Sequence, residues 1–204
     1  MFRMEVAGSP VGGEDAKEKQ WMDQIATAND LSNVILRFQI EPNRNVHLDN
    51  LVRPAMHALK RAGYYHDGFR ELNSIAATRA WNEPEGLVVE SGFLNQPRGE
   101  VLDIEWRSVP PSESAGDWKQ EWTNAIAESY NSPPISQPAW VAITTTSRRS
   151  LVDLLGPIIN GLEPLLGRDP AGSNPFSPNA NLIQWLHVRR VEAGEPLRLV
   201  AGLL

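Results

Sequence analysis

Apolar and polar positions alternate along Phe2–Gly8 (FRMEVAG), the two-residue period of a half-buried strand. After a Pro/Gly turn the period lengthens. Trp21, Ile25 and Ala28 share one face of a helix predicted over about 16–28. NVILRFQI (Asn33–Ile40) is rich in β-branched residues and followed by Pro42 and Asn43, so it predicts a second strand. Asp49 or Asn50 is placed to cap a helix that runs to about Ala62, where Gly63 stops it. Pro54 falls within its first turn or so, where proline is tolerated. Two more strands follow, ELNSIAATRAW and GLVVESGFL, separated by the turn NEPEG. The predicted order is β-α-β-α-β-β.

The second half repeats that order. VLDIEWRSVPP matches FRMEVAGSP, with Glu105 at Glu5 and Pro110 at Pro10, and WTNAIA matches WMDQIA. AWVAITTT stands at LRFQIEPN, and SLVDLLGPIINGLEPLLG stands at HLDNLVRPAMHALKRAG, with Pro157 at Pro54 and Leu162 at Leu59. NLIQWLHVRRVEAGEPLRLVAGLL lies over ELNSIAATRAWNEPEGLVVESGFL without a gap, which puts Arg189 at Arg79 and Gly202 at Gly92. The offset grows from 100 to 101, 103 and 110, each step in a predicted loop, where insertions are tolerated. The chain therefore divides into units 1–94 and 95–204, joined at NQPRGE.

With 204 residues and 41% hydrophobic content including seven Trp, the chain can bury a real core. No apolar run reaches about 18 residues and the N-terminus shows no export signal, so a cytoplasmic protein without a membrane span is expected. With no cysteine, disulfide and thiolate chemistry are excluded. The net charge of −6 is shared equally, with 10 basic and 13 acidic side chains in 1–94 and 9 and 12 in 95–204. Neither half is a basic module, so any nucleic-acid contact must come from a local patch.

The strand–turn–helix opening and DNLVRPAMHALKRAGYYHDG (Asp49–Gly68) resemble the RusA family of Holliday-junction resolvases, over essentially residues 1–94. The resemblance implies a Mg²⁺-dependent endonuclease that works as a homodimer. Its pattern is Asp-x-Asp-Asn at a helix start, a Lys four residues after the second Asp, and a Gly-aromatic loop ending in Asp-Asp. A tandem copy would then be a single-chain version of that dimer: an α/β (α+β) fold of two RusA-like βαβαββ units forming an intrachain pseudo-dimer, with no obligate homodimer required. Here the first Asp is His47, the second is kept as Asp49 before Asn50, and the Lys is Arg53. Asp67 keeps the first position of the closing pair, and Gly68 replaces the second, which is catalytic in the family. In the second half Ser150 and Val152 occupy the leading Asp positions and Gly156 the Lys position, while Asp153 falls at Asn50 and Asp169 lies in a longer loop.

Mg²⁺ takes oxygen ligands in octahedral geometry, and junction resolution needs two working centres. His47, Asp49 and Asp67 are thus a remnant at which Mg²⁺, or a softer ion such as Mn²⁺ or Zn²⁺, would bind if any metal does. Arg44, Arg53, Lys60 and Arg61 beside that site, with Arg148, Arg149, Arg189 and Arg190 in the second half, are the candidate phosphate contacts. The other reading of these charges is a solvated face. Trp21 and Trp122 read as core, Trp81 and Trp118 as the exposed tryptophans. The expected function is a catalytically degenerate RusA-like protein, binding branched or duplex DNA or serving as an architectural subunit of a larger phage, defence or recombination complex. The alternatives are an asymmetric metal-dependent endonuclease using the remnant, and an acidic protein-binding subunit or inhibitor.

Overall fold

The computed structural model describes residues 2–8, 23–24, 31–41, 46–65, 69–81, 84–112, 114–172 and 176–204. Eight strands form one mixed sheet: β1 (Arg3–Ala7), β2 (Asn33–Ile40), β3 (Ser74–Trp81), β4 (Gly86–Ser91), β5 (Glu100–Trp106), β6 (Ala139–Thr145), β7 (Ile183–Arg190) and β8 (Leu197–Leu203). The described helices are α1 (Leu48–Arg61), α2 (Gly116–Ser129), α3 (Leu151–Asn160) and α4 (Glu163–Leu166), with a 3₁₀ turn at Ala180–Leu182. The helix predicted over 16–28, including Trp21, lies outside the described residues.

Spatial order across the sheet is β1-β4-β2-β3-β7-β6-β8-β5. Numbered within each half, the order is the same read from either edge, and β3 and β7 meet antiparallel at the centre. The sheet is therefore continuous across the boundary between 94 and 95. β2 is parallel to β3, and β6 to β7, so β2 and β6 run in opposite directions. The loops that follow these two strands consequently emerge at opposite ends of the sheet.

The helices cover one face. Val34, Leu36, Phe38, Ile75 and Ala77 from the first half join Val141, Ile143, Leu186 and Val188 from the second in one core beneath α1, α2 and α3. The other face carries a small cluster of Trp140, Ala142, Trp185 and Val200, against which Leu94 packs. Strand periodicity demands this division, since successive side chains point to opposite faces.

α1 and α3 share their construction. Each begins one residue after its cap, His47 or Ser150, and each has a proline six residues after its first residue, Pro54 or Pro157. Pro54 thus lies in the helix interior, beyond the first turn, and withholds one ladder hydrogen bond. Asp49 sits inside the first turn rather than at the cap; there its charge suits the helix dipole. Val152, Leu154, Leu155, Ile158 and Ile159 are all buried, as expected for a helix apolar nearly all round.

SLVDLLGPIINGLEPLLG is not one helix. α3 stops at Asn160, Gly161 caps it, and α4 restarts at Glu163 with Pro164 in its first turn. A Cβ on Gly161 would stand 2.2 Å from Cδ1 of the fully buried Trp122, whose Nε1 donates to the Ile158 carbonyl at 3.1 Å. Gly161→Ala is therefore expected to lower stability by about 2 kcal/mol through overpacking alone, since φ −82° suits alanine. Urea denaturation checks this, and an unchanged midpoint would mean that the indole has room to move. Trp118, expected to be exposed, is buried; it stacks on Trp122 and donates Nε1–H to Ser108 Oγ.

Candidate functional sites at the two ends of the sheet

The loop after β2 leads to His47, the cap of α1, and Asp49 follows in the first turn. The imidazole Nε2 of His47 lies 3.5 Å from Oδ2 of Asp169, which comes from the second half's loop between α4 and β7. Asp169 is held there by its own backbone: its N–H donates to the Ser177 carbonyl, and its Oδ1 accepts from Ala171 N–H. Burial pushes the Asp49 carboxyl above its ordinary range, opposed by the charge of His47 and by the first-turn N–H groups. One of its oxygens, Oδ1, is buried without a hydrogen-bond partner among the described residues. Asp67 and Arg44 lie outside the described residues.

Among the described residues this end offers His47, Asp49 and Asp169, a smaller oxygen set than a hard octahedral cation takes. Among the described residues no three His, Asp or Glu side chains gather around one point. Asp169 faces an imidazole, and burial raises the Asp49 carboxyl. The pairing of His47 with Asp169 had no sequence signal, because the two lie in different halves and Asp169 sits in a loop of irregular length.

The loop after β6 emerges at the opposite end. It carries Arg148 and Arg149 before Ser150, whose hydroxyl caps α3 by accepting from Asp153 N–H. Here an open groove of about 710 Å³ is bordered by Arg148, Arg189, Asn33, Asn73, Phe93 and Glu192. A neighbouring depression of about 510 Å³ lies between Arg70, Arg148 and Arg190. Arg148 and Arg189 are exposed, and Arg189 donates Nε–H to Thr144 Oγ1 at 3.3 Å. Arg70, which sequence reasoning passed over, comes from the first half's loop before β3. Each end of the sheet is thus assembled from the helix-entry loop of one half and the loop before the central strand of the other.

Arg190 lines the groove but does not offer its guanidinium to it. Nε donates to the Ser147 carbonyl, Nη1 to those of Arg70 and Leu72, and Nη2 to that of Arg149, at 2.9–3.1 Å. Arg190, expected as a phosphate contact, thus also braces the loops around the groove. Arg149 points inward too, with Nη1 buried. Arg53, Lys60 and Arg61 form a separate exposed stripe on α1 around His57, whose pKa is lowered by burial and then by Arg53. Asp153 of α3 faces the same imidazole with the opposite effect. Lys60 Nζ sits 5.5 Å from the ring centre of Phe69, the residue before Arg70.

No described helix is long and apolar enough to cross a membrane. Compared with known proteins, the chain matches no family model and no curated sequence.

Proposed function

We propose that this protein is a catalytically silent, RusA-like DNA-binding scaffold, made of two tandem βαβαββ units arranged as an intrachain pseudo-dimer, and that it serves a larger recombination, defence or mobile-element complex. The observation that carries this reading is the opposite chemistry of the two sheet ends. Under the repeat, His47 corresponds to Ser150, and the Arg70 loop corresponds to the Asp169 loop. One end keeps an imidazole and two carboxylates; the other has Arg148, Arg70 and Arg189 where a metal would need acids. A homodimer cannot separate its two ends in this way, whereas a fused copy can. The basic end suits phosphate contact without base readout. At the other end Asp169 faces the His47 imidazole, and among the described residues no three His, Asp or Glu side chains gather around one point.

The test is fluorescence anisotropy on four-way junctions and duplexes at low salt, with a cleavage assay in Mg²⁺ and Mn²⁺ alongside. Arg148→Glu and Arg189→Glu are each expected to weaken binding about tenfold, with a log–log salt slope of about −2 for two phosphate contacts. Cleavage abolished by Asp49→Asn would overturn the silent reading in favour of an asymmetric nuclease. No binding to any DNA at low salt would overturn DNA contact and leave a protein-binding subunit.

A further inference from the structure

We infer that the basic groove takes unpaired nucleotides, with one base stacked on Phe93 and the backbone neutralised by Arg148 and Arg189. This deepens the proposed DNA-binding role and rests on it. Phe93 is 70% exposed, the most exposed large apolar side chain among the described residues, in a protein that buries Phe38, Tyr65, Trp122 and Trp140 almost completely. It is also held in place. The preceding residue, Gly92, has φ 144°, a conformation that suits glycine, and its N–H donates to the Asn33 carbonyl at 3.1 Å. Ser91 N–H donates to the Phe2 carbonyl just before it. The aromatic ring is thus presented by a braced strand end rather than by a loose loop.

The surroundings of the ring decide the ligand. Arg148 and Arg189 border the same groove and supply two positive charges against the single acid Glu192. Asn73 and Thr146 add hydrogen-bonding groups that suit base edges or sugars. A positive groove with an aromatic platform is the composition that binds single strands, because every base offers a π-face whatever its identity. A duplex offers no such face, since its bases are stacked on each other. Phe93 therefore gains nothing from intact duplex, while the arginines gain from either form.

Anisotropy with a 12-nucleotide oligo-dT and a blunt duplex of the same length separates these contributions, using Phe93→Ala, Phe93→Trp and Arg148→Glu in the full chain. Phe93→Ala is expected to weaken oligo-dT binding about tenfold and duplex binding less than twofold. Phe93→Trp should retain oligo-dT binding, and Arg148→Glu should weaken both probes. Equal losses on both probes, or no loss on oligo-dT, would overturn the inference. Binding of duplex or junction without oligo-dT would overturn it while leaving the DNA-binding role intact. Absence of all DNA binding would overturn both.

Discussion

Replacing Arg190 with methionine is expected to destabilise the fold by roughly 3–4 kcal/mol, the cost of breaking several hydrogen bonds to one charged group. Four carbonyls, those of Ser147, Arg149, Arg70 and Leu72, lose their donor at once. Methionine keeps the apolar stem, so the loss measures the guanidinium itself. Arg190→Lys should recover only a small part, because a single ammonium cannot reach four acceptors spread around a planar fork. Urea denaturation at neutral pH reads both variants. A loss below about 1 kcal/mol for the methionine variant would show that water serves these carbonyls as well as the guanidinium does.

Arg79 has the same task at the other end of the central strand pair. Its Nη1 donates to the Val46 carbonyl at 2.5 Å and its Nη2 to the Asn181 carbonyl, while its guanidinium stands 4.5 Å over the Trp81 ring. Burial lowers its pKa to about 10. Each arginine therefore ties the helix entry of its own half to the approach of the other half's central strand. Arg190 N–H pairs with the Asn73 carbonyl, so the backbones of the two arginines lie about 20 Å apart along the strands. Groups that distant share no partners, and their costs should add.

These arginines also show where sequence reading succeeds and where it slips. β2 was legible to the residue, because its β-branched run and flanking breakers act locally. The end of α1 was legible from its periodicity and from Gly63, which follows the last turn with φ 92°, whereas its cap is His47 and not Asp49 or Asn50. The repeat alignment placed Arg189 at Arg79 by identity, but a one-residue slip in a strand reverses every face. Ile75 and Ala77 precede Arg79 on the helix-covered face, as Leu186 and Val188 precede Arg190. Matching that alternation, rather than the letters, would have paired Arg79 with Arg190. The same registers move AWVAITTT from LRFQIEPN to SNVILRFQ, four residues earlier. Contacts across the halves, such as His47 with Asp169, were not legible, because they depend on how two loops meet once the sheet has closed. The break at Gly161 has no mark in the sequence, because the apolar run continues through it, and only the Trp122 ring against the backbone requires glycine there.

Acidification from pH 6.5 to 4 is expected to remove roughly 3 kcal/mol of stability through His187 alone. His187 lies on the face away from the helices, its ring edge-on to Trp185 at 5.7 Å, and it is only 8% exposed. Its Nε2 is buried without a partner among the described residues, and Arg189 is the charged group next along the same strand face. Burial first, and the Arg189 charge second, push its pKa down to about 4, against 6.5 for the free side chain. Unfolded chains therefore take up a proton near pH 6.5 that the folded protein refuses until about pH 4. The stabilisation of the neutral form is complete above pH 6.5 and is lost progressively as the pH falls through that window. Glu90, held low first by Arg37, and Asp103, held low first by Arg198, also lose their contributions on acidification, as the pH falls through the ordinary carboxylate range toward their lowered values. Asp49, raised by burial, acts in the opposite direction. The informative quantity is therefore the difference between the wild type and His187→Leu, measured by urea denaturation at pH 4.5, 5.5, 6.5 and 7.5. The leucine variant should keep its stability between pH 6.5 and 4.5 where the wild type declines. Parallel curves for the two proteins would mean that the folded protein accepts the proton on His187 as readily as water does.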